Sequence, residues 1–144
     1  MAAASVTGFY RTASGAVYRF FSEQEYTVAV YHEPSARQAA TGIVRGDLAY
    51  KATLVGKVLV GTFHQRHAIE ARERCPGLWQ FPSTLCLEVS EDSSQLKGTL
   101  LEEHLMENEC RIDDRRLSIL VFDKIIPEKP LIKPFEQLSG SSGG

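Results

Sequence analysis

Apolar and polar residues alternate in short segments along most of the chain, which is the pattern of half-buried β-strands. The clearest segment runs from Thr84 to Val89, where Leu85 and Leu87 share one face and Cys86 points to the other. About eight such segments, joined by short turns, are typical of an up-and-down barrel. The pattern therefore predicts an all-β domain: an antiparallel up-and-down meander barrel of about eight strands, with at most one or two short helical turns.

Two stretches of the chain, 48–67 and 85–104, are similar to each other at an offset of 37 residues. Leu59 then aligns with Leu96 and His67 with His104, and both stretches contain the pattern Leu-x-Gly-Thr. A repeat of this kind predicts two neighbouring hairpins in one meander. The alignment also predicts a set of core-facing residues: Leu48, Tyr50, Leu59, Phe63, Leu85, Leu87, Leu96 and Leu100.

The last predicted strand runs from Leu117 to Ile126 and is apolar on both faces, so we expect another segment to cover it. Prolines at 127, 130 and 134 follow and exclude regular structure there. We expect residues 1–6 to be a flexible N-terminus, 7–126 to form the barrel, and 127–144 to form an extended tail with a Gly/Ser end.

The opening Gly8-Phe-Tyr-Arg and the following Gly15-Ala-Val-Tyr resemble the first hairpin of avidin-like and lipocalin-like barrels, the calycin group. The two Leu-x-Gly-Thr pieces are similar to that group as well. This resemblance covers residues 7–126 as a rhythm of strands. It implies a small antiparallel barrel and ligand binding inside it. It implies no binding residues, because the Gly-x-Trp lipocalin signature and the biotin-site residues of avidins are absent from the sequence.

The composition narrows the classes of partner. With 144 residues and a formal net charge of −2, the chain has the size of one domain and lacks the basic excess that neutralises phosphates. We therefore predict no nucleic-acid partner. No apolar run approaches the roughly 20 residues that span a bilayer. The first residues lack the basic and apolar regions of a secretory signal, which predicts a soluble cytoplasmic or other intracellular protein, unless a leader has been removed.

Histidine and cysteine residues suggest a zinc site or a reactive thiol, but a purely structural role explains each of them more simply. His64 and His67 followed by Cys75 invite a zinc site. Residues three apart on a strand point to opposite faces, so rim histidines are favoured and no metal is predicted. Cys75 lies near Arg72 and Arg74, which suits a reactive thiolate, yet Cys-Pro-Gly is typical of a structural turn.

Acidic residues form a further group: Glu102, Glu103, Glu107 and Glu109. A glycoside hydrolase needs two carboxylates in one cleft, whereas a solvated strand end facing Arg66, Arg72 and Arg74 explains the acids more simply. No acid, base and nucleophile converge in the sequence. We therefore predict no catalytic residues and no cofactor, and a hydrolytic enzyme is the least favoured class.

Large aromatic residues are the candidates for lining a ligand pocket: Tyr18, Phe20, Tyr50, Phe63 and Trp79. The interior of an eight-stranded barrel is just wide enough to be filled by side chains, so core packing is favoured over a pocket. Basic residues of the loops and apolar residues of the tail are the candidates for facing a partner: Arg37, Arg72, Arg74, Leu131, Ile132 and Phe135.

These patterns favour a non-enzymatic binding or scaffolding module. Its partner would be another protein, or a domain of its own parent chain, bound through the loops and the apolar tail. The alternative is a barrel that binds a small apolar ligand in its interior. A sizeable interior cavity favours the ligand, and a filled interior with exposed apolar residues favours the protein partner.

The repeat also relates two cysteines. At the offset of 37 residues, Cys110 corresponds to position 73, close to Cys75. Neighbouring hairpins end at the same rim of a meander, so we predict that the two sulfurs are close together. They form a disulfide in an oxidising compartment and stay neighbouring thiols in a reducing one. Cys86, on the outer face of its strand, is predicted to stay free in both.

Overall fold

A computed structural model describes residues 6–126 of the chain. Eight antiparallel strands follow one another around a closed barrel, and β1 closes the ring against β8. The elements are β1 (Gly8–Arg11), β2 (Val17–Glu23), β3 (Tyr26–Glu33), α1 (Ala36–Ala39), β4 (Leu48–Val55), β5 (Val58–Arg66), α2 (Ala71–Arg74), β6 (Gln80–Val89), β7 (Gln95–Met106) and β8 (Arg111–Ile125). The predicted all-β meander barrel with two short helical segments is confirmed.

The longer connections lie at one end of the barrel, here called the upper rim. Residues 34–47 and 67–79 cross this rim, and each contains one of the helices. Helix α1 begins with a capping box, in which the Ser35 hydroxyl accepts from the Gln38 amide and the Gln38 side chain accepts from the Ser35 amide. None of the helices within residues 6–126 is long and apolar enough to cross a membrane.

One large hydrophobic core fills the barrel, and it includes Tyr50, Leu59, Phe63, Leu85, Leu87, Leu96 and Leu100 from the predicted core-facing set. The glycines of the two Leu-x-Gly-Thr pieces have a shared structural role. A Cβ on Gly61 would collide with the main chain of Lys51 and Ala52, and one on Gly98 would collide with the carbonyl oxygen of Cys86. The repeated glycine therefore marks a close approach of adjacent strands.

Leu48 is a correction to the predicted core. It is 41 % exposed, whereas Ala49 and Tyr50 are both buried. In the pairing of β3 with β4, Ala29 lies opposite Tyr50 and Val30 lies opposite Leu48, so the register shifts by one residue. A β-bulge of this kind turns the residues before it to the other face. The alternation read from the sequence assumed an unbroken strand and was wrong at this position.

Strands β7 and β8 form a long hairpin that extends beyond the closed part of the barrel. They pair with each other from Gln95↔Asp123 to Met106↔Arg111. By contrast, β7 pairs with β6 only at Leu96–Gly98. On the other side, β8 pairs with β1 only at Asp123–Ile125. Residues 99–106 and 111–122, here called the β7–β8 ribbon, thus pair only with each other within the described chain.

The charged residues Asp113-Asp114-Arg115 lie inside β8 and form no turn. The hairpin turns at 107–110 instead, where Cys110 takes a positive φ of 50°. Polar side chains pair across the ladder in this segment, and the register shifts by one residue between His104 and Leu105. Arg115 contacts Glu103 at 3.0 Å, and the His104 ring nitrogen contacts Asp113 at 2.6 Å. These pairs show why a run of charged residues forms a strand here.

Candidate functional site

The aromatic residues predicted to line a ligand pocket pack against one another inside the barrel. The Tyr18 ring lies 5.2 Å from Phe122 and 6.3 Å from Phe63, and Phe20 lies 5.5 Å from Phe122. Tyr50 lies 6.3 Å from Phe63 on the same side of the core. Such centroid distances are those of rings in mutual contact. Tyr18, Phe20, Tyr50 and Phe63 therefore serve as core residues.

The hydroxyl groups of the buried tyrosines are used within the protein. The Tyr18 hydroxyl accepts a hydrogen bond from the Gln38 side-chain amide at 2.9 Å, and burial raises the pKa of Tyr18 to about 12. The single proton of the Tyr50 hydroxyl lies between the carbonyl oxygens of Leu59 and Leu85, and burial raises the pKa of Tyr50. Tyr10 donates to the Ser93 carbonyl at 2.6 Å, and burial raises its pKa as well. These hydroxyl groups form hydrogen bonds within the protein and do not face an empty cavity.

Trp79 does not join the other four aromatic residues. It belongs to a second, smaller hydrophobic cluster, here called the rim cluster, which consists of Ala71, Cys75, Leu78, Trp79, Leu105 and Ile112. This cluster packs the 67–79 segment against the tip of the β7–β8 ribbon. Its members come from distant parts of the sequence. The alternation of apolar residues along any one strand therefore did not predict this cluster.

A disulfide between Cys75 and Cys110 closes the rim cluster, with the two Cα atoms 5.4 Å apart. The repeat had predicted that these sulfurs lie close together at one rim. Cys86 is free and exposed on the outer face of β6. The disulfide links the tip of the β7–β8 ribbon to the 67–79 segment. At this end of the barrel β6 and β7 no longer pair with each other.

Two arginines and one histidine surround the rim cluster. The guanidinium groups of Arg66 and Arg72 lie 5.2 Å and 5.0 Å from the centre of the Trp79 ring. His67 stacks on Phe81 at 4.6 Å, and burial lowers the pKa of His67. The indole nitrogen of Trp79 and Nε2 of His67 are buried without a hydrogen-bond partner among the described residues. Because both atoms are closed off from solvent, they offer no route to a ligand.

The residues predicted to face a partner are only partly within the described chain. Arg37, Arg72 and Arg74 are exposed on the connections at the upper rim. Leu131, Ile132 and Phe135 lie outside the described residues. A depression of about 470 Å³ beside Arg74 is lined by residues 104–109 of the ribbon tip. It is open and mostly polar in its lining residues, so it lacks the enclosed apolar character of a small-molecule site.

Acidic residues at the ribbon tip pair with nearby arginines. Glu103 pairs with Arg115 at 3.0 Å and Glu109 with Arg111 at 2.6 Å, both within the ribbon. His64 is exposed on β5, on the outer face of the strand. No three His, Cys, Asp or Glu side chains among residues 6–126 lie close enough together to hold a metal ion.

The outer face of strands β5–β8 carries exposed apolar side chains. Leu117 and Ile119 on β8 are 70 % and 68 % exposed. Across the ladder they lie opposite Leu101 and Thr99 of β7. On β5 and β6 the exposed Val60 pairs with Cys86. The last strand was expected to be covered on both faces, and the described residues leave this outer face open.

The same segment of β8 also has an unpaired edge. Within residues 6–126 no strand pairs with β8 between Leu117 and Phe122 on the side away from β7. Natural proteins protect such edges with charged residues, prolines or bulges. The segment Leu117-Ser-Ile-Leu-Val-Phe122 contains none of these. An open edge beside an open apolar face is suited to accept another extended chain.

These features define the class of protein. It is a closed eight-stranded antiparallel barrel with a filled interior, consistent with the general calycin-like architecture. No protein-family model matches the chain, and no curated protein matches it with significance. The candidate site is the segment Leu117–Phe122 of β8, here called the open β8 segment, in which Leu117 and Ile119 are exposed and Phe122 is buried.

Proposed function

We propose that this protein is a non-enzymatic binding or scaffolding module that engages a protein partner on the outside of the barrel. The observation that carries the proposal is the open β8 segment, which combines exposed apolar side chains with an unpaired strand edge. Main-chain hydrogen bonds to such an edge supply affinity, and the side chains on either side supply specificity. The rim loops with Arg37, Arg72 and Arg74, and the tail with Leu131, Ile132 and Phe135, remain predicted secondary contacts.

A small apolar ligand inside the barrel is the weaker alternative. This alternative is suggested by the likeness to lipocalin-type and avidin-type barrels. That likeness covers only the spacing of the strands and the fold class. The packing of Tyr18, Phe20, Tyr50 and Phe63 against each other argues for a filled interior. A hydrolytic enzyme remains the least favoured of the three classes.

The redox state of Cys75 and Cys110 bears on the cellular compartment in which this protein resides. Disulfides persist in oxidising compartments and are rare in the cytosol. The bond between these cysteines therefore favours an oxidising compartment over the intracellular location expected from the N-terminal residues. Blocking free thiols during lysis and mapping the peptides by mass spectrometry tests this. A blocked Cys75 in protein from its native source would restore the intracellular proposal.

Site-specific photo-crosslinking tests the binding proposal. A photoreactive amino acid replaces Ile119 in the full chain. The matched control position is Val55, which is the last residue of β4 and is 62 % exposed. After irradiation in the native source, adduct peptides are identified by mass spectrometry. We expect defined protein adducts from position 119 that are absent from position 55. Equal, diffuse labelling from both positions would contradict the proposal.

A further inference from the structure

The β7–β8 ribbon packs on the rest of the molecule at its two ends. Near its base, Leu100 and Phe122 are buried in the barrel core, and at its tip Leu105 is buried in the rim cluster. None of residues 101–104 of β7 and 111–121 of β8 is more than partly buried. Burial of apolar area is the main force that holds one element against another. The middle of the ribbon therefore contributes little to keeping it in place.

The charged residues of the ribbon and its turn pair with one another. Four such ion pairs are formed: Glu103–Arg115, His104–Asp113, Glu109–Arg111 and Asp114–Arg116. Because both partners of each pair lie on the same hairpin, these contacts stabilise the hairpin and do not attach it to the barrel. The ribbon can therefore move as one unit without breaking them.

A glutamine of β5 spans the gap between the ribbon and β6. The Gln65 side-chain amide donates to the Leu101 carbonyl at 2.9 Å and to the Ser83 hydroxyl at 3.0 Å. Within residues 6–126 this is the one side-chain hydrogen bond that joins the barrel to the ribbon above its base. A single neutral hydrogen bond stabilises such a contact only modestly.

The disulfide is the remaining tie, and it lies at the tip. Cys75 belongs to the rim cluster and is 3 % exposed, whereas Cys110 lies in the exposed turn at 107–110. The ladders to β6 and β1 lie near the base of the ribbon, at Leu96–Gly98 and Asp123–Ile125. The bond thus holds the end of the hairpin that no ladder to a neighbouring strand fixes.

We propose that the β7–β8 ribbon is a redox-controlled flap. While the Cys75–Cys110 bond is intact, the tip stays on the 67–79 segment. When a dithiol reduces the bond, the tip moves away and exposes Trp79 and Leu105. The hinge is the base of the ribbon, where β7 separates from β6 after Gly98. This inference goes beyond the proposed function, because it holds whether or not the open β8 segment binds a partner.

The chemistry is thiol–disulfide exchange with a dithiol as the reductant. A thiolate of the dithiol attacks Sγ of Cys110, which is the exposed sulfur, and forms a mixed disulfide with it. The sulfur–sulfur bond of the protein breaks, and Cys75 leaves as a thiolate and takes up a proton. The second thiol of the reductant then displaces Cys110, which also ends as a thiol. Two electrons pass from the dithiol to the protein, and the reductant leaves as its own disulfide.

The barrel below the hinge does not depend on this bond. Leu59 and Leu96 are fully buried in the core, and the ladders at the base of the ribbon lie far along the strands from the cysteines. Local opening of one element while the rest stays folded is the expected behaviour when few buried contacts hold that element. Reduction should therefore move the ribbon and leave the barrel intact.

Hydroxyl-radical footprinting of the full chain tests the inference. The chain carries Cys86→Ser, which removes the third cysteine, and is compared before and after reduction with dithiothreitol that is then removed under nitrogen. Trp79 and Leu105 are 9 % and 8 % exposed in the disulfide form, so their oxidation should rise severalfold on reduction. Oxidation of Leu59 and Leu96 should stay the same at equal radical dose. Reforming the bond should return all four residues to their first values.

A second variant sharpens the comparison. Gln65→Ala removes the hydrogen bond to the Leu101 carbonyl, so labelling of Leu105 should rise further in the reduced chain and change little in the disulfide form. Lys57→Ala is the control, because it removes only an exposed ion pair with Glu91 in the turns at the other end of the barrel. It should leave the labelling unchanged in both forms.

Three results would overturn the inference. One is a bond that dithiothreitol leaves intact in the folded chain, and another is a reduced chain in which Trp79 and Leu105 are labelled as before. The third is labelling that rises equally at Leu59 and Leu96, since reduction would then unfold the barrel. The double variant Cys75→Ala and Cys110→Ala repeats the comparison without a reductant. It should be labelled like the reduced chain, and labelling like the disulfide form would contradict the flap.

Discussion

The barrel core and the rim cluster hold the molecule together in different ways. The core joins all eight strands through many buried side chains, including Leu59, Leu87 and Leu96 at 0 % exposure. The rim cluster has only a few apolar members and adds the Cys75–Cys110 disulfide. A small cluster buries too little apolar area to fix the ribbon tip alone. The comparison indicates that hydrophobic burial sets the stability of the barrel, and a covalent link sets the position of the ribbon.

The largest effect is expected in the barrel core. Leu87→Ala removes a fully buried side chain, so we expect the free energy of unfolding to fall by about 2–5 kcal/mol in urea melts. Leu48→Ala is the matched control, because Leu48 lies on the outer face and its truncation should cost less than about 1 kcal/mol. Equal costs for the two leucines would mean that the bulge in β4 was assigned wrongly.

Removing the disulfide tests the other side of the comparison. In the chain-entropy account, opening a loop of this length lowers stability by roughly 3–4 kcal/mol. We expect this loss for the double variant Cys75→Ser and Cys110→Ser, with Cys86→Ser as a nearly neutral control. Trp79 is the single tryptophan of the chain and lies in the rim cluster, so its fluorescence should change while the β signal of the barrel persists. A simultaneous loss of both signals would contradict separate roles.

The buried tyrosines predict a pH limit for the core. The pKa of Tyr18 is raised from 10.0 to about 12 by burial, so the folded state keeps its proton longer than the unfolded chain. Stability from this group is complete below pH 10 and falls as the pH rises toward 12, by about 2–3 kcal/mol. Urea melts at alkaline pH measure this decline. The slope should be smaller in Tyr18→Phe, and an unchanged slope would exclude Tyr18 as a contributor.

The smallest effect is expected at the rim. Trp79→Phe loses apolar area and the contacts with Arg66 and Arg72, but it also removes a buried N–H that has no partner among the described residues. The two terms offset, so the free energy of unfolding should change by less than about 1 kcal/mol. Leu105→Ala, which removes packing and no polar group, is the comparison variant. A cost for Trp79→Phe above that for Leu105→Ala would show that the arginine contacts dominate.

The sequence predicted the barrel well because alternation within a strand is a local signal. The 37-residue offset placed Leu59 and Leu96, and likewise Gly61 and Gly98, at equivalent positions, and the structure gives both glycines a close contact between strands. The offset failed at Leu48, because a bulge depends on the pairing with β3 and leaves no mark in the composition.

The candidate site was harder to predict. The apolar character of Leu117 and Ile119 was visible, but it led to the expectation of a covered strand. Whether an edge is open depends on where its neighbours end, and β1 is only four residues long. Trp79 was grouped with Tyr18 because both are aromatic, although the fold separates them into different clusters. Clusters that join distant segments follow from topology, which alternation along one strand does not encode.

Amide hydrogen exchange along the open β8 segment tests the central claim most directly. In the full chain at low concentration, every second amide from Leu117 to Phe122 points away from β7 and should exchange rapidly. Protection of these amides that is already complete in the isolated chain would contradict an unpaired edge that can bind an extended partner.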